Sequence, residues 1–181
     1  MNNTLFFIGI GKVLFGILVG ALGIFFASRV LGRFLRWGNV DEEIRKGSLA
    51  AGILRASALI ALGILVQNAV TATFSAMDLL YRGRPPELSW VGTFGLYGIC
   101  HVGLSLAVGS CVLALGAILF NRLTKGVDEM EEVRKGNAPP ALVLGAVMIV
   151  MALVTAPGLQ TALDGLLPLP ELSRDEMVTP S

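Results

Sequence analysis

Long apolar stretches separated by short charged segments dominate the chain. Four of them, residues 5–33, 49–77, 90–120 and 139–163, are almost free of charged side chains. A helix of about 20 apolar residues crosses a hydrocarbon layer of about 30 Å. Helices of soluble proteins keep a polar face and rarely stay apolar over such a length. We therefore predict an all-α polytopic membrane protein with four transmembrane helices.

The charged segments after the first and third stretches, residues 38–48 and 126–137, share one pattern. Acidic residues come first, followed by Ile or Val, Arg-Lys and Gly. This order predicts a short helix, because acids suit the N-terminus, bases suit the C-terminus, and Gly47 or Gly136 can end it. Ser48 and Asn137 are then predicted to be the N-caps of the next membrane helices.

An offset of 89 residues, the spacing of Arg45 and Arg134, relates the two halves of the chain. The same offset pairs Lys12 with His101. Pro139 falls in the first turn of the last helix. We predict two helix-loop-helix repeats: residues 1–78 form the first, 79–89 an outer connector, 90–167 the second, and 168–181 a polar tail.

Basic residues concentrate in the two repeat loops. The positive-inside rule places such loops in the cytoplasm and hence both termini outside. Each repeat would then begin and end outside, so the repeats are parallel and their pseudo-two-fold axis runs along the membrane normal. The first apolar stretch is too long for a signal peptide and no basic residue precedes it, so we expect it to remain as a helix.

Composition narrows the possible functions. The net charge is +1 and only 15% of residues are charged, so the chain lacks the basic surface that nucleic acid requires. A single histidine cannot build a bis-histidine haem or zinc site. A nucleophile needs a base and a group that orients the base, and His101 has no Asp or Glu near it in sequence. We therefore predict no catalytic residues, no metal, no cofactor and no enzymatic activity.

Lys12 and His101 are the ionisable residues deep inside the first and third stretches. Such residues are costly in a membrane and often functional. Two interpretations are open: a lysine that reaches the interface with a hydrogen-bonded histidine, or two residues that line an outward-facing polar cavity.

A belt of charges surrounds the repeat loops. Its basic members contact anionic lipid and set the topology in one interpretation. In the other, the belt is a docking surface for a partner protein or a gate of ion pairs. The belt comprises Arg33, Arg36, Glu42, Glu43, Arg45, Lys46, Arg122, Lys125, Glu131, Glu132, Arg134 and Lys135.

Small residues four positions apart recur in the first and third stretches. Gly16 and Gly20 form one pair, and Ser105 and Gly109 form the other at the offset of 89. Such pairs let helix backbones approach closely. We expect them to pack helices, within one chain or between copies.

Residues 41–53, DEEIRKGSLAAGI, resemble the signature of a family of small bacterial inner-membrane proteins known as domain of unknown function 350. The resemblance implies two duplicated helix pairs over residues 5–163, in the inner membrane. Ser48 stands where the family usually has Asn, and Pro139-Pro140 replaces small residues. Members lie beside genes for phage-shock-type membrane-remodelling proteins and amide-forming ligases, which implies an envelope-associated assembly.

Two functional hypotheses follow. The first is a homo-oligomeric membrane scaffold or assembly subunit, whose partners are membrane lipids, further copies and a cytoplasmic or membrane protein. The alternative is a channel or transporter for an ion or small solute, with its site at the repeat interface.

Overall fold

The computed structural model describes residues 3–34, 40–80, 89–123 and 129–166. Its helices are α1 Asn3–Phe34, α2 Val40–Arg45, α3 Leu49–Leu80, α4 Ser89–Leu123, α5 Glu129–Arg134 and α6 Ala138–Asp164. Most of the predicted connector, the predicted polar tail, Arg36 and Lys125 lie outside the described residues.

Four of these helices are long and apolar enough to cross a membrane: α1, α3, α4 and α6. Helices of 27 to 35 residues measure about 40–52 Å at 1.5 Å per residue. They therefore exceed a hydrocarbon thickness of about 30 Å. The prediction of an all-α polytopic membrane protein is confirmed, and the exposed Leu, Ile and Phe side chains of these helices are suited to contact lipid.

The two short helices end in the same way. Gly47 and Gly136 adopt φ of 87° and 92°, a backbone conformation that glycine tolerates and other residues rarely adopt. The N–H groups of Ser48 and Asn137 each donate to a carbonyl five residues earlier, at 3.0 Å. This is the Schellman arrangement, and it ends both helices at the glycines that the sequence pattern indicated.

The two predicted N-caps differ in their side-chain bonds. The Ser48 hydroxyl accepts a hydrogen bond from the N–H of Ala51 at 3.3 Å, as predicted. Asn137 holds the N-cap position of α6, but its side chain makes no capping bond. The second and third residues of α6 are Pro139 and Pro140, which have no N–H to donate. Asn137 instead donates to Glu132 Oε2 at 3.3 Å.

Helix α3 lies at the centre, in contact with α1, α4 and α6. Many of its contact positions are alanines, whose small side chains let the neighbouring helices approach closely. A Cβ atom at Gly145 of α6 would collide with Ser57 of α3. The Asn68 side chain adds a hydrogen bond to the Ala156 carbonyl at 3.2 Å. The fully buried alanines of α3 are Ala50, Ala51, Ala58, Ala61, Ala69, Ala72 and Ala76.

A pseudo-two-fold axis between the repeats stays a prediction, and the contacts among the long helices are unequal in one respect. Such an axis would exchange α1 with α4 and α3 with α6, so the α3–α4 contact would recur between α1 and α6. Helix α4 packs on both α3 and α6, whereas among the described residues α1 and α6 form no extensive contact. Helix α1 is therefore peripheral and α4 is central, although their charged loops match.

Candidate functional site

A groove of about 1090 Å³ lies beside α1, at the end of the bundle that carries α2 and α5, called here the loop end. Helix α1 contacts α4 only sparingly, and the groove is lined by residues of α1, α2, α3 and α4. Its deep part is apolar, with Ala21, Ile24 and Phe25 among its walls. Its outer part is charged, with Arg29, Arg33, Asp41 and Arg55.

Arg55 and Asp41 form an ion pair inside this groove. Arg55 lies six residues into α3, about 9 Å from the start of that helix, and its side chain is only 26% exposed. An arginine at such a position in a membrane helix is costly unless a partner offsets its charge. Helix α2 supplies that partner, because it carries Asp41 back over the end of α3.

Arg29 and Arg33 lie one turn apart on α1, and both are exposed and line the groove. The guanidinium carbon of Arg29 lies 5.4 Å from the centroid of the Phe25 ring, a distance at which a cation is attracted to the ring face. Neither arginine forms an ion pair with a carboxylate among the described residues. Three guanidinium groups and one carboxylate thus leave the groove with two uncompensated positive charges.

The charged groove belongs to the first half of the chain alone. At the offset of 89, Arg29 corresponds to Ile118 and Arg55 to Leu144. Leu144 is fully buried in the core against α3. Sequence reasoning did not connect Arg55 with Asp41. The sequence did contain a clue, because Arg55 has an apolar residue at the equivalent position of the second repeat. An arginine that sets topology would be expected in both repeats.

His101 is fully buried between α4 and α3. Its Nδ1 atom lies 3.1 Å from Thr73 Oγ1, which also donates to the Ala69 carbonyl at 2.7 Å. A hydroxyl that has given its one proton to Ala69 can only accept from the imidazole, so we assign the proton of His101 to Nδ1. His101 Nε2 and, one turn on, Ser105 Oγ are buried without a hydrogen-bond partner.

Lys12 has different surroundings. Its Nζ atom lies 5.2 Å from the centroid of the Phe74 ring, at an exposed position on α1. Phe15, Phe74 and Phe94 pack edge-to-face on one another, and the three pairs of ring centroids are 5.0–5.9 Å apart. No hydrogen bond or ring contact joins Lys12 to His101, and neither residue lines the groove.

The loop lysines Lys46 and Lys135 pair with glutamates of their own loops. Lys46 Nζ lies 3.2 Å from Glu42 and 2.9 Å from Glu43, and the second loop repeats this pattern. The hydrogen bonds that Lys46 donates to Glu43 and Glu42 raise its pKa. These exposed pairs lie within the loops and do not bridge the membrane helices. The corresponding pairs of the second loop are Lys135 with Glu131 at 3.5 Å and Lys135 with Glu132 at 3.0 Å.

The remaining members of the predicted belt lie apart from one another. Arg33 lines the groove, whereas its counterpart Arg122 is exposed near the end of α4 and does not. Arg45 and Arg134 are exposed at the ends of the two short helices. A smaller cleft of about 360 Å³ is lined by residues of both loops, Lys46 and Arg134 among them.

The two small-residue pairs also have different surroundings. Ser105 and Gly109 are buried, and a Cβ atom at Gly109 would collide with Leu62 of α3. Gly16 and Gly20 have nothing within 4 Å of such an atom. The pair on α4 therefore packs inside the chain, and the pair on α1 is open.

Comparison with known proteins agrees with this architecture. A protein of Aquifex aeolicus (strain VF5) described as a UPF0719 transmembrane protein is 28% identical over 121 residues. The match covers 67% of this chain but only 38% of that relative, so the chain spans well under half of the relative's length. No solved structure matches the chain. The family described as Domain of Unknown Function (DUF350) matches residues 4–159, so this multi-pass membrane protein belongs to the DUF350 family.

Proposed function

We propose that the chain is a non-enzymatic scaffold of the bacterial inner membrane whose copies associate through α1. The observation that carries this proposal is the unequal packing of two equivalent pairs. Ser105 and Gly109 are covered by α3, whereas Gly16 and Gly20 face open space on the least buried of the four membrane helices. A second copy of α1 would give Gly16 and Gly20 the close helix contact that Ser105 and Gly109 find within the chain.

The physics of helix association in lipid supports this assignment. Lipid tails are as apolar as leucine, so helices associate through close packing rather than through the hydrophobic effect. Exposed leucines are therefore neutral, while two glycines one turn apart allow the backbones to approach. Large side chains such as Val13 and Ile17 flank the glycines and are also exposed, which supplies the ridges beside such a contact.

The two loops suit the docking of a partner. Lys46 and Lys135 pair with glutamates of their own loops, and Arg45 and Arg134 are exposed beside them, so the loops present charged groups to a partner. With both loops in the cytoplasm, as the positive-inside rule predicts, the partner would be a cytoplasmic protein or the cytoplasmic part of a membrane protein.

The mass of the purified protein in nanodiscs or detergent tests the scaffold proposal. We expect a dimer or larger assembly for the wild type and a shift towards monomer for Gly16→Leu/Gly20→Leu. Gly63→Leu is the matched control, because Gly63 of α3 is also exposed and has nothing within 4 Å of a Cβ atom. A monomeric wild type, or equal loss of mass in the control, would overturn the proposal.

A second candidate function, transport of protons or a small polar solute, is favoured by one observation. His101 Nε2 and Ser105 Oγ are unpaired and fully buried one turn apart on α4, and buried polar atoms normally have a partner. Flux into liposomes tests this candidate. His101→Gln should abolish a flux that the wild type shows, and a silent wild type would remove the candidate.

A further inference from the structure

We propose that the groove beside α1 binds the headgroup of one anionic phospholipid from the leaflet at the loop end. The proposal rests on the shape of the groove, on its charge and on the contrast with the second half of the chain. It is independent of the association of copies through α1.

The length of the groove matches one leaflet. From Ala21 at its deep end to Arg33 at its outer end there are 12 residues, about 18 Å of helix. Half of a hydrocarbon core of about 30 Å is about 15 Å, so the groove runs from mid-membrane to the headgroup level. Its volume of about 1090 Å³ is slightly above the range for small-molecule sites, about 300–1000 Å³, as expected for a ligand with acyl chains.

The distribution of side chains along the groove matches an amphiphile. Ala21, Ile24 and Phe25 line the part that lies in hydrocarbon, and they would contact an acyl chain. Arg29 and Arg33 line the part nearer the headgroups. A free phosphate ion would use only that outer part, so the apolar inner part favours a lipid as the source of the phosphate.

The positive charge of the groove favours the binding of an anion. Asp41 offsets Arg55, and Arg29 and Arg33 have no carboxylate partner among the described residues. Arginine presents several N–H donors in a planar fork that fits phosphate oxygens. A phosphate placed between Arg29 and Arg33 would be bound by two guanidinium groups that lie one helical turn apart.

The second half of the chain shows that these arginines are not required by the fold. Arg33 has a counterpart in Arg122, as expected of a residue that sets topology. The deeper Arg29 and Arg55 correspond to the apolar Ile118 and Leu144. Arg29 and Arg55 therefore mark a site in the first half of the chain that the second half lacks.

The experiment compares retention of lipid by variants in bilayers of defined composition. The protein is reconstituted with phosphatidylglycerol and phosphatidylcholine, extracted gently, and the bound lipid is counted by native mass spectrometry. We expect one retained phosphatidylglycerol on the wild type. Each basic residue near an anionic surface contributes about fivefold in affinity, so Arg29→Gln/Arg33→Gln should lose about 30-fold. Arg122→Gln is the matched control and should retain the lipid.

Two further variants separate the sources of binding. Arg29→Lys/Arg33→Lys keeps both charges and should retain most of the preference for phosphatidylglycerol. Ser110→Phe fills the inner part of the groove and should release the lipid with both arginines intact. Equal retention of phosphatidylcholine, equal loss in Arg122→Gln, or complete displacement by inorganic phosphate would each overturn the proposal.

Discussion

The two halves of this chain have the same charged loops but expose different surfaces. In the second half, α4 is packed on two sides, and its polar and small residues, His101, Ser105 and Gly109, are buried. In the first half, α1 is peripheral, and its glycines and arginines face open space or a groove. The comparison indicates that α4 is packed into the bundle beside α3, whereas its counterpart α1 carries the surfaces available to partners and lipids.

The largest expected difference between α1 and α4 is at the equivalent positions Lys12 and His101. His101→Ala should lower the free energy of unfolding by about 2–4 kcal/mol, because it leaves a cavity where a large side chain is fully buried. Lys12→Ala should cost at most about 1 kcal/mol, the scale of an exposed cation–π contact. Unfolding of both variants in mixed micelles gives the two values. Equal values would show that the residues share one environment.

The glycine positions give the next largest expected difference. Gly109→Leu should cost about 1–3 kcal/mol, since its side chain collides with Leu62. Gly20→Leu should leave the stability of the monomer within about 0.5 kcal/mol of the wild type, as a change at an open surface does. Thermal unfolding of dilute protein separates these outcomes, and a Gly20→Leu chain as unstable as Gly109→Leu would refute the difference in packing.

The ion pair of the groove should contribute a smaller amount. A double-mutant cycle with Arg55→Met and Asp41→Asn is expected to give a coupling of about 1 kcal/mol, because the pair is partly sheltered. The pair between Lys46 and Glu43 is more exposed and should give a weaker coupling. If the loop pair proved the stronger of the two, Arg55 would have to find its partner elsewhere.

The smallest expected difference lies between the loops. Hydrogen bonds from Lys135 and then from Asn137 lower the pKa of Glu132 below its ordinary value. The charged glutamate therefore stabilises the folded loop at neutral pH, and this contribution is lost as the pH falls through the lowered value. Asn137→Ser should raise the pKa of Glu132 towards its ordinary value, as measured by NMR titration. An unchanged titration would show that Asn137 does not act on this carboxylate.

Hydrophobic length made the membrane helices predictable. The predicted stretches and the observed helices agree within a few residues at each end, because each stretch is longer than the bilayer requires and bounded by charge. The ends of α2 and α5 were also predictable, since a glycine must supply the positive φ of a Schellman turn. The cap of α6 differed for a local reason: the two prolines leave Asn137 without a donor to cap.

Helix adjacency could not be predicted in the same way. The offset of 89 predicted equivalent roles for the two small-residue pairs and a symmetric arrangement of the four helices. The sequence spacing of Gly16 and Gly109 contains no information on which neighbour covers them. The groove was missed for that reason, because it exists only where α1 contacts α4 sparingly and α2 brings Asp41 to Arg55.

Cysteine cross-linking in native membranes tests most directly whether α1 is an exposed surface and α4 a packed helix. Cys100 and Cys111 are both free and exposed, so both are first replaced by Ser, and Gly20→Cys or Gly109→Cys is introduced into that background. We predict that mild oxidation yields a covalent dimer for Gly20→Cys and none for Gly109→Cys. A dimer through position 109, or none through position 20 at full expression, would contradict the assignment of α1 as the surface where copies meet.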